Sequence, residues 1–216
     1  MSRHFLVTGA TGFIGSHLVR QLTHEGHRVS AVVRNPERSG GLADLGVELH
    51  TGDVAERESI RGPMAGCDGV FHVAGWYKIG LRYSADAQRV NVTGTRNVLS
   101  LARELGIPKT VYTSTVAVSS DTKGRLMDET YRFTGRHLSA YDESKWRAHY
   151  EVAQPMIDEG VPLVIVMPGV VYGPGDTSSI HAMLVQYLRR KLPVVPQVTE
   201  FCWAHVDDIA RAHILA

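Results

Sequence analysis

Short runs of β-branched and other apolar residues alternate along the chain with longer stretches whose apolar positions recur every three or four residues. Phe5-Leu6-Val7 forms the first run; a glycine-rich turn follows, and residues 13–24 carry helical spacing on one face. Residues 29–33, 47–50, 70–73, 110–113 and 163–167 predict further strands, and 85–105, 141–159 and 180–191 predict helices. Alternation of this kind implies parallel pairing, because each strand must be reached by a crossover, and crossover helices cover both faces of the sheet. Right-handed crossovers then give an α/β, Rossmann-type doubly wound parallel sheet. Between 116 and 139 the sequence is polar, carries Gly124 and Gly135 and has no clear period, so a functional loop is expected there. A last helix is expected from near Asp207; the sequence stops inside it, and the C-terminal substrate region is expected to be truncated.

Charge and composition exclude more than they assign. The 216 residues allow one α/β domain with a sizeable core. Basic and acidic side chains nearly cancel, 23 against 22, which removes the electrostatic case for nucleic acid or an anionic membrane as partner. No apolar stretch approaches the roughly 18 residues of a membrane span, and Met1-Ser2-Arg3-His4 leads into a strand without an apolar leader. A soluble, cytoplasmic protein is expected. Cys67 and Cys202 lie far apart without a CxxC, and both are expected as buried small hydrophobes. The histidines follow no HExxH or Cys/His ligand grammar, so no metal site is expected.

The first strand–helix junction carries the strongest chemical signal. Thr8-Gly9-Ala10-Thr11-Gly12-Phe13-Ile14-Gly15 places three glycines where a helix N-terminus presents free N–H groups and positive dipole charge to an anion. Gly9 suits the tight turn, Gly12 the approach of a pyrophosphate, and Gly15 close helix–strand packing. A nicotinamide dinucleotide is the expected ligand, with Thr11, Phe13 and Ile14 completing the phosphate turn. An acidic residue after the second strand would favour NAD; here Arg34 stands there, with Arg38 four residues on, and a guanidinium suits a 2′-phosphate. NADP(H) is therefore preferred, with NAD(H) left open. Asp53 and Val54 end the third strand at the adenine side, where Asp53 either accepts from the adenine amino group or caps the next helix. Ala74 and Gly75 end the fourth with small residues beside the ribose. Residues 1–175 then form the dinucleotide-binding domain and 176–216 the start of a smaller substrate-binding region. Trp76, Tyr77 and Tyr83 follow the fourth strand as candidates for packing or for a substrate wall.

Tyr141 and Lys145 stand at i and i+4, on one helical face. A phenol titrating near 10 is a poor acid or base at neutral pH, and a nearby ammonium favours its phenolate. The pair suits general acid/base work on a carbonyl or alcohol, and Lys145 can also hold the nicotinamide ribose hydroxyls.

TGATGFIG at 8–15, YTST at 112–115, YDESK at 141–145 and Pro168-Gly169-Val170-Val171-Tyr172-Gly173, in this order, resemble the extended short-chain dehydrogenase/reductase family of epimerase/dehydratase and dihydroflavonol reductase-like enzymes. Residues 203–210 resemble a further family segment, so the likeness covers essentially the whole chain. By that resemblance Tyr141 is the catalytic acid/base, Lys145 its partner, and Thr115 the hydroxyl on the substrate oxygen, with Ser114 the neighbouring alternative. Thr113 falls on the cofactor side, Pro168 and Val171 face the nicotinamide, Asn91 is structural, and a homodimer is implied.

The implied activity is NADP(H)-dependent hydride transfer between nicotinamide and a carbonyl or alcohol, dihydroflavonol reductase-like. A nucleotide-sugar epimerase or dehydratase with tightly held NAD is the alternative. A dinucleotide-binding regulatory protein without catalysis is the third reading, against which Thr115, Tyr141 and Lys145 count. The expected partner is a small carbonyl or sugar-nucleotide substrate.

Overall fold

A computed structural model describes residues 1–39, 41–77, 84–195, 197 and 200–216, excluding the Arg38 side chain. Its strands are β1 (His4–Thr8), β2 (Arg28–Val33), β3 (Glu48–Thr51), β4 (Gly69–His72), β5 (Thr110–Thr113) and β6 (Leu163–Val166). They form one sheet in the order β3-β2-β1-β4-β5-β6, every pair parallel. This is the doubly wound order with its switch point between β1 and β4. All six predicted strands are present, each within a residue or so of its expected bounds.

Burial on both faces explains why the strands read as near-continuous apolar runs. Successive side chains go to opposite sides. Val7, Ala31, Val33, Phe71 and Val111 pack with Leu18, Val19 and Leu22 of helix α1 (Phe13–His24). Leu6, Val32 and Val70 pack on the other face with Ile60 and Met64 of α2 (Arg57–Met64) and Val98 and Leu101 beyond. Helix α2 is short, polar and contains Pro63, so it was not expected; burial of Ile60 and Met64, one turn apart on one face, outweighs its weak intrinsic propensity.

Two predicted helices are each broken by a wide turn. The first runs as α3 (Ala85–Ala87), a π-helical segment (Gln88–Gly94) and α4 (Thr95–Glu104). The second runs as α5 (Ala140–Arg147), a π-helical segment (Ala148–Ala153) and α6 (Gln154–Asp158). Asn91, inside the first wide turn, accepts from the Trp76 amide at 2.7 Å and donates to the Trp76 carbonyl at 3.0 Å. It also reaches the Ser144 hydroxyl at 2.9 Å, so it ties the loop after β4 to α5.

A second, two-stranded parallel pair, β7 (Val170–Tyr172) and β8 (Trp203–His205), was not expected; three residues are too few to show a period. Helix α7 (Ser179–Leu188) buries no side chain, whereas α8 (Val206–Leu215) returns to the main sheet's layer. Ala210 is buried in the α1 cluster, and Asp207 bonds His17 at 2.6 Å. The last eleven residues therefore lie against α1 and the main sheet. Cys67 is buried as expected; Cys202 is exposed, because it precedes the short outer strand β8 and not a core element. Among the described residues no helix is long and apolar enough to cross a membrane.

Leu22 is fully buried between α1 and the sheet. Leu22→Ala is expected to lower stability by about 2–5 kcal/mol, read as a fall in the urea midpoint at unchanged slope.

Candidate active site

Because all six strands are parallel, their carboxyl ends share one edge, and the residues after them converge there: Gly9 after β1, Arg34 after β2, Asp53 after β3, Ala74 after β4, Ser114 and Thr115 after β5, Pro168 after β6. Ligands of open α/β sheets sit outside this edge at the switch point.

Two glycines allow the first turn to close. Gly9 has φ +74°, and a Cβ on it would lie 2.5 Å from the Ala74 amide nitrogen. A Cβ on Gly15 would stand 2.1 Å from the Gly9 carbonyl oxygen. Helix α1 begins with no side-chain cap and no acidic residue in its first turn. Its first internal bond runs from the Ser16 amide to the Gly12 carbonyl at 2.9 Å, and the Phe13, Ile14 and Gly15 amides have no acceptor among the described residues. Donors, dipole and close backbone approach all fit a pyrophosphate. Thr11 is exposed beside them.

On the side where adenosine is expected, Arg34 is exposed and makes no ion pair among the described residues. The Arg38 side chain lies outside the described residues, as does Tyr83. Asp53 does not cap α2, whose N-cap is Glu56. One Asp53 oxygen accepts from the Ala55 amide at 2.9 Å and the other from Arg89 at 2.8 Å. Burial alone would raise its carboxyl, but the Arg89 and Ala55 hydrogen bonds outweigh it and hold the group below the usual carboxylate range. Val54 is buried beneath Gly94, and the Ala74 amide donates to the Thr8 hydroxyl at 3.3 Å, leaving Gly75 exposed.

On the nicotinamide side, Ser139 caps α5 by accepting from the Asp142 amide at 3.2 Å, which starts the helix one residue before Tyr141. The irregular segment 120–139 is pinned to that helix: Tyr150 donates to the Tyr131 carbonyl at 2.8 Å, and the Arg132 guanidinium lies 4.9 Å from the Trp146 ring centre. Thr115 caps a short 3-10 turn (Val116–Ser119), where its hydroxyl accepts from the Ala117 amide at 3.2 Å, and it lies beside the Tyr141 phenol. Ser114 points elsewhere, bonded to His149 at 2.8 Å. The neighbouring hydroxyls thus separate: one meets the phenol, the other is tied into the core. Pro168, buried, accepts from the Val116 amide at 3.1 Å, and Val171 lies half-buried in β7. Tyr77 meets Tyr141 edge to face at 5.5 Å; Trp76 is held through its backbone by Asn91.

Lys145 behaves differently from the expectation. Its ammonium is buried and donates to the Thr113 carbonyl at 2.7 Å and the Tyr112 hydroxyl at 3.1 Å, 4.7 Å from the centre of the Tyr112 ring. Burial pulls its pKa down to about 7. The Tyr141 phenol is pushed up to about 12 by burial, eased by Thr115, and is not lowered by Lys145. Removal from water dominates both groups. The sequence did not disclose Tyr112, His72 or Thr95 as polar members of this site. Only the even position of Tyr112 and His72 on their strands, facing the α4 side, marks them as interior. Thr113 turns its side chain to His213 of α8 at 2.8 Å and offers Lys145 only its carbonyl.

Residues 5–216 match the NAD dependent epimerase/dehydratase family, and the chain belongs to it. It is 37% identical to a Synechocystis sp. protein named "Putative dihydroflavonol 4-reductase", over 100% of this chain and 63% of that one. It is 30% identical to cinnamoyl-CoA reductase 1 of Oryza sativa subsp. japonica, over 97% of this chain and 66% of the relative. Among solved structures, UDP-glucose 4-epimerase of Thermus thermophilus, in complex with NAD, superposes with a TM-score of 0.78 at 26% identity, covering 98% of this chain and 73% of that one. The chain spans a little under two thirds of the length of the two reductase relatives.

The lysine gives a pH signature. Below about pH 7 Lys145 is charged in both folded and unfolded chains, and burial of the ammonium weighs fully against the fold. Between about 7 and its ordinary value of 10.5 the unfolded chain keeps a proton that the folded one sheds, so stability rises with pH. Lys145→Met is expected to be the more stable protein at pH 6, with the gap narrowing towards pH 10 in urea titrations. A gap independent of pH would contradict a buried, weakened ammonium.

Proposed function

We propose that the chain carries the cofactor site and catalytic groups of an NADP(H)-dependent oxidoreductase that interconverts a carbonyl and an alcohol, in the manner of dihydroflavonol reductase-like enzymes. The observation that carries this reading is the meeting of Thr115 with Tyr141 at the carboxyl edge that also holds the uncapped α1. The bound nicotinamide would supply or accept the hydride. The chain's own residues would handle the oxygen: Thr115 holds it, and Tyr141 gives or takes its proton. Lys145 would direct its remaining N–H at the ribose hydroxyls, while the amides of 13–15 hold the pyrophosphate. Tyr77, half exposed and packed on Tyr141, would form one wall of the substrate side. Residues 1–175 would then serve the dinucleotide and 176–216 begin the substrate side, with α8 bracing the former.

Two features support NADP(H): Arg34 is free of ion pairs among the described residues, and the relatives above 30% identity include several named reductases. The structural likeness to an epimerase solved with NAD supports a second reading, in which the cofactor is reduced and reoxidised within one turnover. Stoichiometry separates them, since a reductase consumes one NADPH per product and an epimerase shows no net consumption.

A spectrophotometric screen of aldehydes, ketones and sugar nucleotides with NADPH is expected to show absorbance loss with a carbonyl substrate. Tyr141→Phe should then lose at least about a hundred-fold in kcat, the range of one general acid/base, with cofactor Kd changed less than a few-fold. Retained turnover in this variant would defeat the assignment. Arg34→Ala should raise KM for NADPH about ten-fold or more and leave KM for NADH nearly unchanged, as expected for a lost charge-assisted pair.

A further inference from the structure

The strand residue Tyr112 is fully buried, and its hydroxyl meets the buried ammonium of Lys145. A phenol has one proton and two lone pairs. Lys145 donates to it at 3.1 Å, and the Thr95 and Ser114 hydroxyls lie beside it. Each partner is held from behind. Thr95 bonds His72 at 3.0 Å, His72 bonds Thr8 at 2.8 Å, and Thr8 accepts from the Ala74 amide. Ser114 bonds His149 at 2.8 Å. Buried polar groups thus run from the end of β1 as far as Thr95, beside the Tyr112 hydroxyl that contacts Lys145.

We propose that Tyr112 is a positioning residue for Lys145: its buried hydroxyl, 3.1 Å from the ammonium, fixes the place of that ammonium relative to Tyr141 and the glycine turn. The assignment rests on the reductase reading above for its catalytic consequence, but not for its structural one. Two of the three ammonium hydrogens are taken, by the Tyr112 oxygen and the Thr113 carbonyl, and one is left for the ribose. The titratable groups facing Lys145 are His72 from β4, His149 one turn further along its own helix, and the phenol of Tyr112. Burial first, and Lys145 second, hold His72 near 3 and His149 near 4, so both imidazoles are neutral neighbours. The ammonium therefore relies on dipoles, of which the Tyr112 hydroxyl is one of two that it contacts directly, and on the ring beneath it.

Tyr112→Phe keeps the ring and removes the oxygen. Losing one charge-assisted hydrogen bond should move the loss of the Lys145 proton about one pH unit lower, a ten-fold change in its protonation equilibrium. The fall of kcat with rising pH should begin lower by the same amount. NMR titration of isotopically labelled lysine side chains, assigned with Lys145→Met, reads the first directly, and NADPH-linked turnover reads the second. A purely structural role for the hydroxyl would lower the melting temperature without moving either titration. Unchanged titrations in Tyr112→Phe overturn the proposal. If that variant does not fold, Thr95→Val, of the same shape, should displace both titrations in the same direction by a smaller amount, and no displacement there overturns it equally. If the wild-type protein reduces no carbonyl, the reductase reading fails by itself, while the NMR titration still decides the role of Tyr112.

Discussion

Everything at the carboxyl edge depends on how near the backbone of the β1–α1 turn comes to its neighbours. Gly15 lies against the Gly9 carbonyl, and Gly9 against the backbone of Ala74, at separations that any Cβ would forbid. This closeness seats the start of α1 at the centre of the sheet, over the gap between β1 and β4, where strand order reverses. A helix set back by a methyl group would still have a dipole, but its first amides would no longer stand at the carboxyl edge between β1 and β4.

The second constraint is electrostatic. An ammonium taken out of water is costly unless dipoles replace its solvation. Around Lys145 the described structure supplies a carbonyl, a phenol oxygen and a ring face. This leaves the group weakly basic, and it keeps the lysine from stabilising the Tyr141 phenolate through the protein alone. Spacing at i and i+4 brings the two side chains onto one helical face, but face-sharing is not the same as electrostatic coupling when both groups are desolvated. Thr115, not Lys145, is the group that eases the Tyr141 phenol in the folded chain.

Much of this was legible in the sequence because it is carried by periodicity and glycine placement. The six strands, the α1 span and the glycine turn follow from apolar runs and from residue types with few other uses. Tyr141, Lys145 and Thr115 were visible as a motif. What escaped detection is instructive. Helix α2 and strands β7 and β8 are short, and tertiary packing, which no local window contains, decides their state. The wide turns within the two long helices leave the apolar spacing nearly intact, so periodicity runs through them. Asp53 is bonded by the Ala55 amide nearby and by Arg89 from far along the chain, partners that its motif position does not announce. Ser114 and Thr115 are chemically alike, and only the turn after β5 decides which hydroxyl meets the phenol.

The closing helix shows why a cofactor fold needs contacts from far along the chain. Thr113 holds Lys145 through its carbonyl, and its side chain is fixed by His213, whose other ring nitrogen bonds the Ile209 carbonyl. Asp207, at the start of the same helix, bonds His17 of α1, while the second His17 nitrogen meets the Pro174 carbonyl after β7 at 3.0 Å. Helix α8 therefore touches both the helix that presents the amides of 13–15 and the strand that holds the lysine. With α1 fixed by glycine contacts at one end and by His17 one turn later, and β5 fixed through Thr113, the relative position of the phosphate turn and Lys145 is set three times over. Each contact is modest alone; their agreement is what makes a pre-arranged site more economical than one assembled by the ligand.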